Sequence, residues 1–237
     1  MPEVSVLIPT YNRAALIGDA IRSILEQTLQ DFKLIIYDDG STDNTWEVVE
    51  SFNDTRIQYI RNKENKGVQW ARNVLLDACD TKYAAWNGSD DLSNIYRLEV
   101  QLSYIKRRNL LMVGSNYIGF QDAKGAAIEV VSLDEAYKLY RLPPKEAIPE
   151  LIKYPYGGDG TNMVEVAMAK TIRYRLNKSL GGGDSIWIRD FCDKYHIRRK
   201  LIPKILYYVR YHNQRIGKWR KNRRLNPDWY NRMRVVK

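Results

Sequence analysis

Three observations predict an α/β fold built on a mostly parallel sheet with helices on its faces. Short apolar runs alternate with helical patterns through the first half of the chain. The connections between them are short, and a strand, a helix and a strand in succession require a parallel crossover. The chain's 237 residues, 44% hydrophobic and 28% charged, match one ordinary domain or one domain with a short appendage.

The elements follow in order. Val4–Pro9 (VSVLIP) reads as a buried strand. Ala14–Gln27 has helical spacing at Ala14, Ile17, Ile21, Ile24 and Leu25. Phe32–Tyr37 is a second strand, and Thr42–Phe52 a second helix that Thr42 and Asp43 are placed to cap. Ile57–Arg61 is a third strand, Gly67–Cys79 a third helix and Tyr83–Trp86 a fourth strand. An α+β arrangement is the weaker alternative.

Beyond Asp91 the pattern loosens. Ile95–Arg108 reads as an amphipathic helix and Leu111–Phe120 as a strand. Asp122–Gly125 is a turn, so Ala126–Val131 is expected to pair back as a hairpin. Prolines 143, 144 and 149 punctuate a helical stretch reaching Lys153. Two glycine-rich loops, Gly157–Gly160 and Gly181–Gly183, flank a poorly patterned segment. Ser185–Tyr195 is a helix and Ile205–Tyr211 an aromatic strand.

Composition excludes several classes. A chain this long buries roughly 70% of its unfolded surface, so no covalent staple is needed. Cys79 and Cys192 have neither a framework nor zinc-ligand spacing, which points to a reducing, cytoplasmic setting. No apolar run nears the ~20 residues that span a bilayer, and the N-terminal residues lack a signal-peptide pattern. The net charge is +10, but it is unevenly spread: residues 190–237 hold 15 Lys/Arg against three acids. The rest of the chain is close to neutral.

Open parallel sheets bind ligands at the carboxyl ends of their strands. Four polar clusters fall at such ends: Pro9 to Arg13, Asp38 to Asp43, Asn65 to Gly67 leading to Arg72 and Asn73, and Asn87 to Asp91. Each alone also reads as a turn or a helix cap. Together, at consecutive strand ends, they favour one pocket. Carboxylates there can bond base N–H and ribose hydroxyl groups, or hold a hard divalent cation that neutralises a diphosphate. No GxxxxGK[ST] loop and no GxGxxG fingerprint is present, which disfavours a P-loop NTPase and a standard dinucleotide dehydrogenase.

The runs VSVLIPTYNR, LIIYDDGSTDNT, NKENKGVQWARN and YAAWNGSDDLSNIYRLEVQL resemble the family-2 inverting glycosyltransferases of the GT-A fold. The likeness covers about residues 3–120 and continues more faintly through LNKSLGGGDSIWIRDF and LYYVRYHNQ. It implies a GT-A-like, Rossmann-related domain over residues 1–214, with a nucleotide-sugar-binding half (1–120) and an acceptor half (121–214). A basic aromatic extension, 215–237, follows.

The resemblance assigns roles. Thr10 and Tyr11, framed by Pro9 and Arg13, would line the nucleobase and ribose pocket. Asp39 would read the base with Asp38 in support, and Gly67 and Arg72 would approach from the third helix. Asn87, Gly88, Ser89 and Asp90 would complete the donor site. Asp90 would be the metal-binding aspartate, with Asp91 beside it and His212 arriving late in the chain. The implied cofactor is Mn²⁺ or Mg²⁺. Asp184 takes the place of the catalytic base. Two departures stand out. Gly88 occupies the position of the first aspartate of the usual DxDD, so either one contact is lost or Asn87 stands in. Gly183 replaces the glutamate that often precedes the base.

The implied reaction is a single displacement. A UDP-sugar is the commonest donor expectation, and a hydroxyl on a glycan or lipid-linked glycan the acceptor. Thr161 and Asn162 read equally as acceptor contacts or as hydrogen-bonding residues at a strand start. Trp70, Trp86 and Trp187 read as core or near-core residues, Cys79 as a small buried hydrophobe and His196 as an ordinary surface residue. The extension, with Trp219, Trp229 and Tyr230 among its cations, suits an anionic membrane surface, at about 1 kcal/mol per well-placed cation. The alternatives are a solvated or partner-docking arm. Two whole-chain alternatives are a non-catalytic sugar-nucleotide-binding homologue and a nucleic-acid binder. The latter leaves the acidic strand-end clusters unexplained. A nucleotidyltransferase is weaker still, because it lacks a glycine-rich phosphate signature.

Overall fold

The computed structural model describes residues 1–121, 131–143, 159–176 and 183–212. Its described strands form one sheet in the order Ile57–Arg61, Phe32–Asp38, Val4–Thr10, Tyr83–Trp86, Met163–Glu165, Met112–Gln121, Lys200–Tyr211 and Leu92–Ser93, with Val131–Ser132 attached to Met112–Gln121. The first half is as expected. β1 (Val4–Thr10), β2 (Phe32–Asp38), β3 (Ile57–Arg61) and β4 (Tyr83–Trp86) are parallel neighbours. Between them run α1 (Ile17–Leu25), α2 (Thr45–Glu50) and α3 (Val68–Ala78).

Side chains of β1 alternate between two cores, as period two requires. Val4, Val6 and Ile8 face Ile17, Ile21 and Ile24 of α1. Leu7 faces Ala71, Leu75 and Leu76 of α3, in a core that also holds Trp86, Cys79 and Trp187. The core readings of those last three residues therefore hold. Trp70 is partly buried against the same cluster, and His196 is exposed.

The second half is mixed rather than parallel. β5 (Leu92–Ser93) and α4 (Arg97–Arg107) precede β6 (Met112–Gln121). β7 (Val131–Ser132) leads into α5 (Leu133–Leu139). A 3₁₀ turn (Asp159–Thr161) then leads into β8 (Met163–Glu165) and α6 (Val166–Ala169). α7 (Gly183–Lys194) and β9 (Lys200–Tyr211) complete the order. β8 is antiparallel to both β4 and β6, and so joins the two halves of the sheet. β9 is parallel to β6 and antiparallel to β5.

Several boundaries move for local reasons. The first helix starts at Ile17 rather than Ala14, because the Arg13 carbonyl accepts from the Leu16 and Ile17 N–H groups in a turn. The second starts at Thr45. Asp43 accepts from the Thr45 N–H at 3.1 Å, while the Thr42 N–H is taken by Asn12 at 2.8 Å, so the pair does not cap as expected. α7 begins at Gly183, which puts Asp184 in its first turn. β9 begins at Lys200, earlier than expected, and its register with β6 shifts around Pro203, which has no N–H for the ladder. The expected hairpin return 126–131 lies outside the described residues except for Val131. β7 pairs parallel to β6, which is not a hairpin return. The turn 122–125, the helical stretch from residue 144 to Lys153 and the extension from residue 213 onward also lie outside them.

Candidate active site

The strand ends build the site. Thr10 and Asp38 stand opposite each other in register at the ends of β1 and β2. The loops beyond them are sewn together. The Asn12 N–H donates to Ser41 Oγ at 2.8 Å, the Arg13 N–H to Thr45 Oγ1 at 2.9 Å and the Ala14 N–H to Asp43 Oδ2 at 3.1 Å. Gly40 is required at this turn. Its φ is +79°, and a Cβ there would lie 2.8 Å from the Glu64 backbone. The Thr10 hydroxyl is buried and has no hydrogen-bond partner among the described residues, whereas Tyr11 is exposed.

The two carboxylates of the second cluster differ in use. Asp38 is fully buried. It accepts from the Ser41 N–H at 2.8 Å and from the Tyr59 hydroxyl, and Arg61 Nε lies 3.8 Å away. Burial and the Asp38 carboxylate push the Tyr59 phenol far above its ordinary value. Asp39 closes the start of α3, accepting from the Lys66 N–H at 3.0 Å and the Gly67 N–H at 2.6 Å. Both aspartates are therefore engaged within the strand-end loops, and Asp39 ties the second cluster to the third.

The fourth cluster divides similarly. Asp91 gives both carboxylate oxygens to β9: Oδ2 accepts from the Tyr207 hydroxyl and Oδ1 from the Arg210 N–H, each at 2.9 Å. Asp90 instead faces His212 Nε2 at 2.8 Å and Arg13 Nε at 3.8 Å. A Cβ on Gly88 would sit 2.6 Å from Asp91 Oδ2, so no other residue fits this loop as it stands. Asn87 does not stand in for an aspartate. Its Oδ1 accepts from Ser93 Oγ at 2.7 Å and Arg97 Nη1 at 3.1 Å, and its amide donates to the Gly88 carbonyl. Ser89 is buried.

Arg97 underlies this loop, and its role was not evident in the sequence. It is completely buried, and its fork donates to Asn87, Ser93, the Trp86 and Gly160 carbonyls and Gln101. Burial pulls the guanidinium pKa down to about 10. The only signal for it was a cation at the buried end of an otherwise amphipathic helix. Thr161 and Asn162 are buried too, as strand-start residues: the Thr161 carbonyl accepts from Gln101 and the Asn162 side chain from Arg199.

The predicted base meets the third helix. Arg72 Nη1 donates to Asp184 Oδ1. The Arg72 guanidinium also lies over the rings of Trp86 and Tyr174, at 5.4 and 5.2 Å. Tyr174 stacks on Trp187 of α7 with centroids 4.9 Å apart.

A divalent cation fits part of this set. Asp90 and His212 offer an oxygen and a nitrogen donor side by side. Among the described residues no group of three or more His, Cys, Asp or Glu side chains gathers to hold a metal by itself. Such a site suits a cation that arrives with phosphate oxygens.

The family model for glycosyl transferase family 2 matches residues 5–154, which spans all four clusters. The chain belongs to glycosyl transferase family 2. As a family-2 chain it is 34% identical over 134 residues to an uncharacterized glycosyltransferase of Haemophilus influenzae, covering 56% of this chain and 53% of that one. It is 36% identical over 114 residues to the Escherichia coli UDP-Glc:alpha-D-GlcNAc-diphosphoundecaprenol beta-1,3-glucosyltransferase WfgD, covering 48% and 45%. The chain spans about half the length of these curated relatives. Its fold matches S. aureus TarS 1–349 in complex with UDP-GlcNAc, with TM-score 0.67 at 21% identity over 91% of this chain and 60% of that one. It also matches the Pyrobaculum calidifontis mannosyltransferase PcManGT in complex with GDP-Man and Mn²⁺, with TM-score 0.66 at 17% identity over 90% and 58%. The expected GT-A architecture is thus found, with the parallel half carrying the clusters.

Proposed function

We propose that this chain is an inverting, metal-assisted glycosyltransferase that moves a hexosyl or N-acetylhexosaminyl group from a UDP-sugar to a hydroxyl of a glycan or lipid-linked glycan. One observation carries the reading. Helix α3 begins on Asp39 in the donor pocket and, less than two turns later, pairs through Arg72 with Asp184. Asp39 and a carboxylate suited to be a base are thus both tied to one helix. The name of the relative WfgD, a UDP-Glc:alpha-D-GlcNAc-diphosphoundecaprenol glucosyltransferase, supports a UDP-sugar and a lipid-linked acceptor.

In this reading residues 1–120 bind the donor and 121–214 the acceptor. Thr10, Tyr11 and Arg13 border the nucleotide, with Pro9, Asp38, Asp39, Gly67 and the Asn87–Ser89 turn holding the walls. Asp90 and His212, with Asp91 fixing their loop, are the side chains that would hold Mn²⁺ or Mg²⁺. When bound, the cation neutralises charge on the diphosphate. Asp184 removes the proton from the acceptor hydroxyl as that oxygen forms a bond to the anomeric carbon. The bond from that carbon to the diphosphate oxygen breaks with its electron pair, and the centre inverts.

No helix among the described residues is long and apolar enough to cross a membrane. The basic residues of 215–237 support attachment to an anionic membrane face. Co-sedimentation with phosphatidylglycerol liposomes, with and without residues 215–237, tests this; equal binding by both forms removes it. For the reaction, thermal-shift screening against UDP-, dTDP- and GDP-sugars with and without Mn²⁺ identifies the donor. Asp184→Asn is then expected to abolish transfer while donor binding persists. Near-normal turnover by that variant would sink the assignment.

A further inference from the structure

We propose that Arg72 is a positioning residue that holds the Asp184-bearing turn of α7, rather than a contact to the nucleotide. The proposal deepens the glycosyltransferase reading and rests on it for Asp184's role as base.

Arg72 is held on two sides. Its guanidinium lies over Trp86 at the end of β4 and over Tyr174 before α7. Tyr174 stacks nearly parallel, at 7°, on Trp187, which continues the contacts to Phe191 along α7. Tyr174 is itself pinned by α3, since Asn73 Oδ1 accepts from its N–H at 2.8 Å and Asn73 Nδ2 donates to its carbonyl at 3.0 Å. The Arg72 side chain is only 11% exposed, so the guanidinium has little freedom to turn elsewhere. One of its nitrogens donates to Asp184 Oδ1.

Asp184 is more open, with its side chain 41% exposed, and Oδ2 has no hydrogen-bond partner among the described residues. One oxygen is therefore held by Arg72 while the side chain as a whole stays partly exposed. That is the arrangement a base needs when it must meet an incoming hydroxyl in one orientation.

A second contact joins the same two helices. A Cβ on Gly183 would lie 2.4 Å from Gln69 Nε2. Gln69 and Arg72 are three residues apart on one face of α3. Gly183, which precedes Asp184, thus lies against the Gln69 side chain on that face. The base is positioned by α3 in the absence of the acidic neighbour the family often has.

The test combines three readouts on Arg72→Ala, Arg72→Lys and Asp184→Asn. UDP binding with Mn²⁺, measured by calorimetry, is expected to stay within about twofold in Arg72→Ala. A tenfold or greater loss would overturn the proposal in favour of a nucleotide contact. Hydrogen exchange is expected to speed at the amides of residues 184–188 in Arg72→Ala, with Lys66 and Gly67 unchanged. Unchanged exchange across that turn would also overturn it. For turnover, UDP release from UDP-glucose or UDP-GlcNAc, with water in the acceptor's place, is expected to fall about 100-fold in kcat with little change in donor KM. Arg72→Lys should recover part of the loss. In the Asp184→Asn background the Arg72→Ala change should add no further loss; multiplicative losses would mean that Arg72 acts elsewhere. If exchange responds as expected but Asp184→Asn turns over normally, the positional link stands and the base assignment fails.

Discussion

The Tyr207 hydroxyl donates to Asp91 Oδ2 at 2.9 Å and accepts from the Gly88 N–H at 2.8 Å, so one phenol on β9 fixes the loop that carries Asp90. Tyr207→Phe leaves a buried carboxylate oxygen and a partly buried N–H without that partner. The expected cost is about 1–3 kcal/mol, read as a lower urea midpoint at unchanged slope. Donor-dependent thermal stabilisation should weaken with it. An unchanged midpoint would mean that the loop is held elsewhere.

Restoring the family's more common residue at position 88 is expected to harm this protein. In Gly88→Asp the new Cβ would meet Asp91 Oδ2 at 2.6 Å, and that oxygen cannot move without breaking its Tyr207 bond. A second carboxylate beside Asp90 and Asp91 adds like-charge repulsion. Melting temperature should fall by several degrees, the equivalent of about 1–3 kcal/mol. A gain in Mn²⁺ affinity without loss of stability would contradict this account.

Arg97 is expected to tolerate no replacement. Lysine is shorter and lacks the planar fork, so several of the oxygens Arg97 serves lose their donor. Arg97→Lys should cost about 3 kcal/mol or more, summed over unsatisfied buried groups. Chemical denaturation measures it. A near-wild-type midpoint would show that water replaces the fork.

Alkaline pH should destabilise the fold through its buried tyrosines. Burial raises the phenols of Tyr207 and Tyr208, the latter to about 12, and those of Tyr59 and Tyr140 also rise. In the unfolded chain each ionises near its ordinary value of about 10. Above that pH the unfolded state binds fewer protons than the native state, so stability falls as pH rises. Their contribution is intact below about pH 10 and is lost above it, at up to about 1.4 kcal/mol per pH unit for each such tyrosine. Urea midpoints at pH 8, 10 and 11 check the slope, and Tyr208→Phe should flatten it.

The proposed cation requires Asp90 and His212 together. Thermal stabilisation by UDP is expected to grow when Mn²⁺ is added, and Asp90→Asn should remove that increment. His212→Ala should shift the Mn²⁺ titration to higher concentration, roughly tenfold for one lost ligand interaction of about 1.4 kcal/mol. A full Mn²⁺ response in Asp90→Asn would place the metal on other groups.

Local patterns in the sequence determined much of the molecule. β3 and β4 fall where apolar runs predict them, and α1, α3 and α4 differ only by end residues, because periodicity and turn chemistry act within a few neighbours. The four polar clusters are legible for the same reason, since each lies at or shortly beyond the end of a strand. The roles of the individual carboxylates were not. Asp38, Asp39, Asp90 and Asp91 look alike along the chain, yet Asp39 seals a helix 27 residues away and Asp91 is held by a strand 116 residues away, while Asp90 faces His212. The antiparallel insertion of β8 and the pairing of Arg72 with Asp184 have the same character. Hydrogen bonds and ring contacts between distant segments carry no local signature. Only the tertiary structure decides which polar groups are used to build the site and which remain open to a ligand.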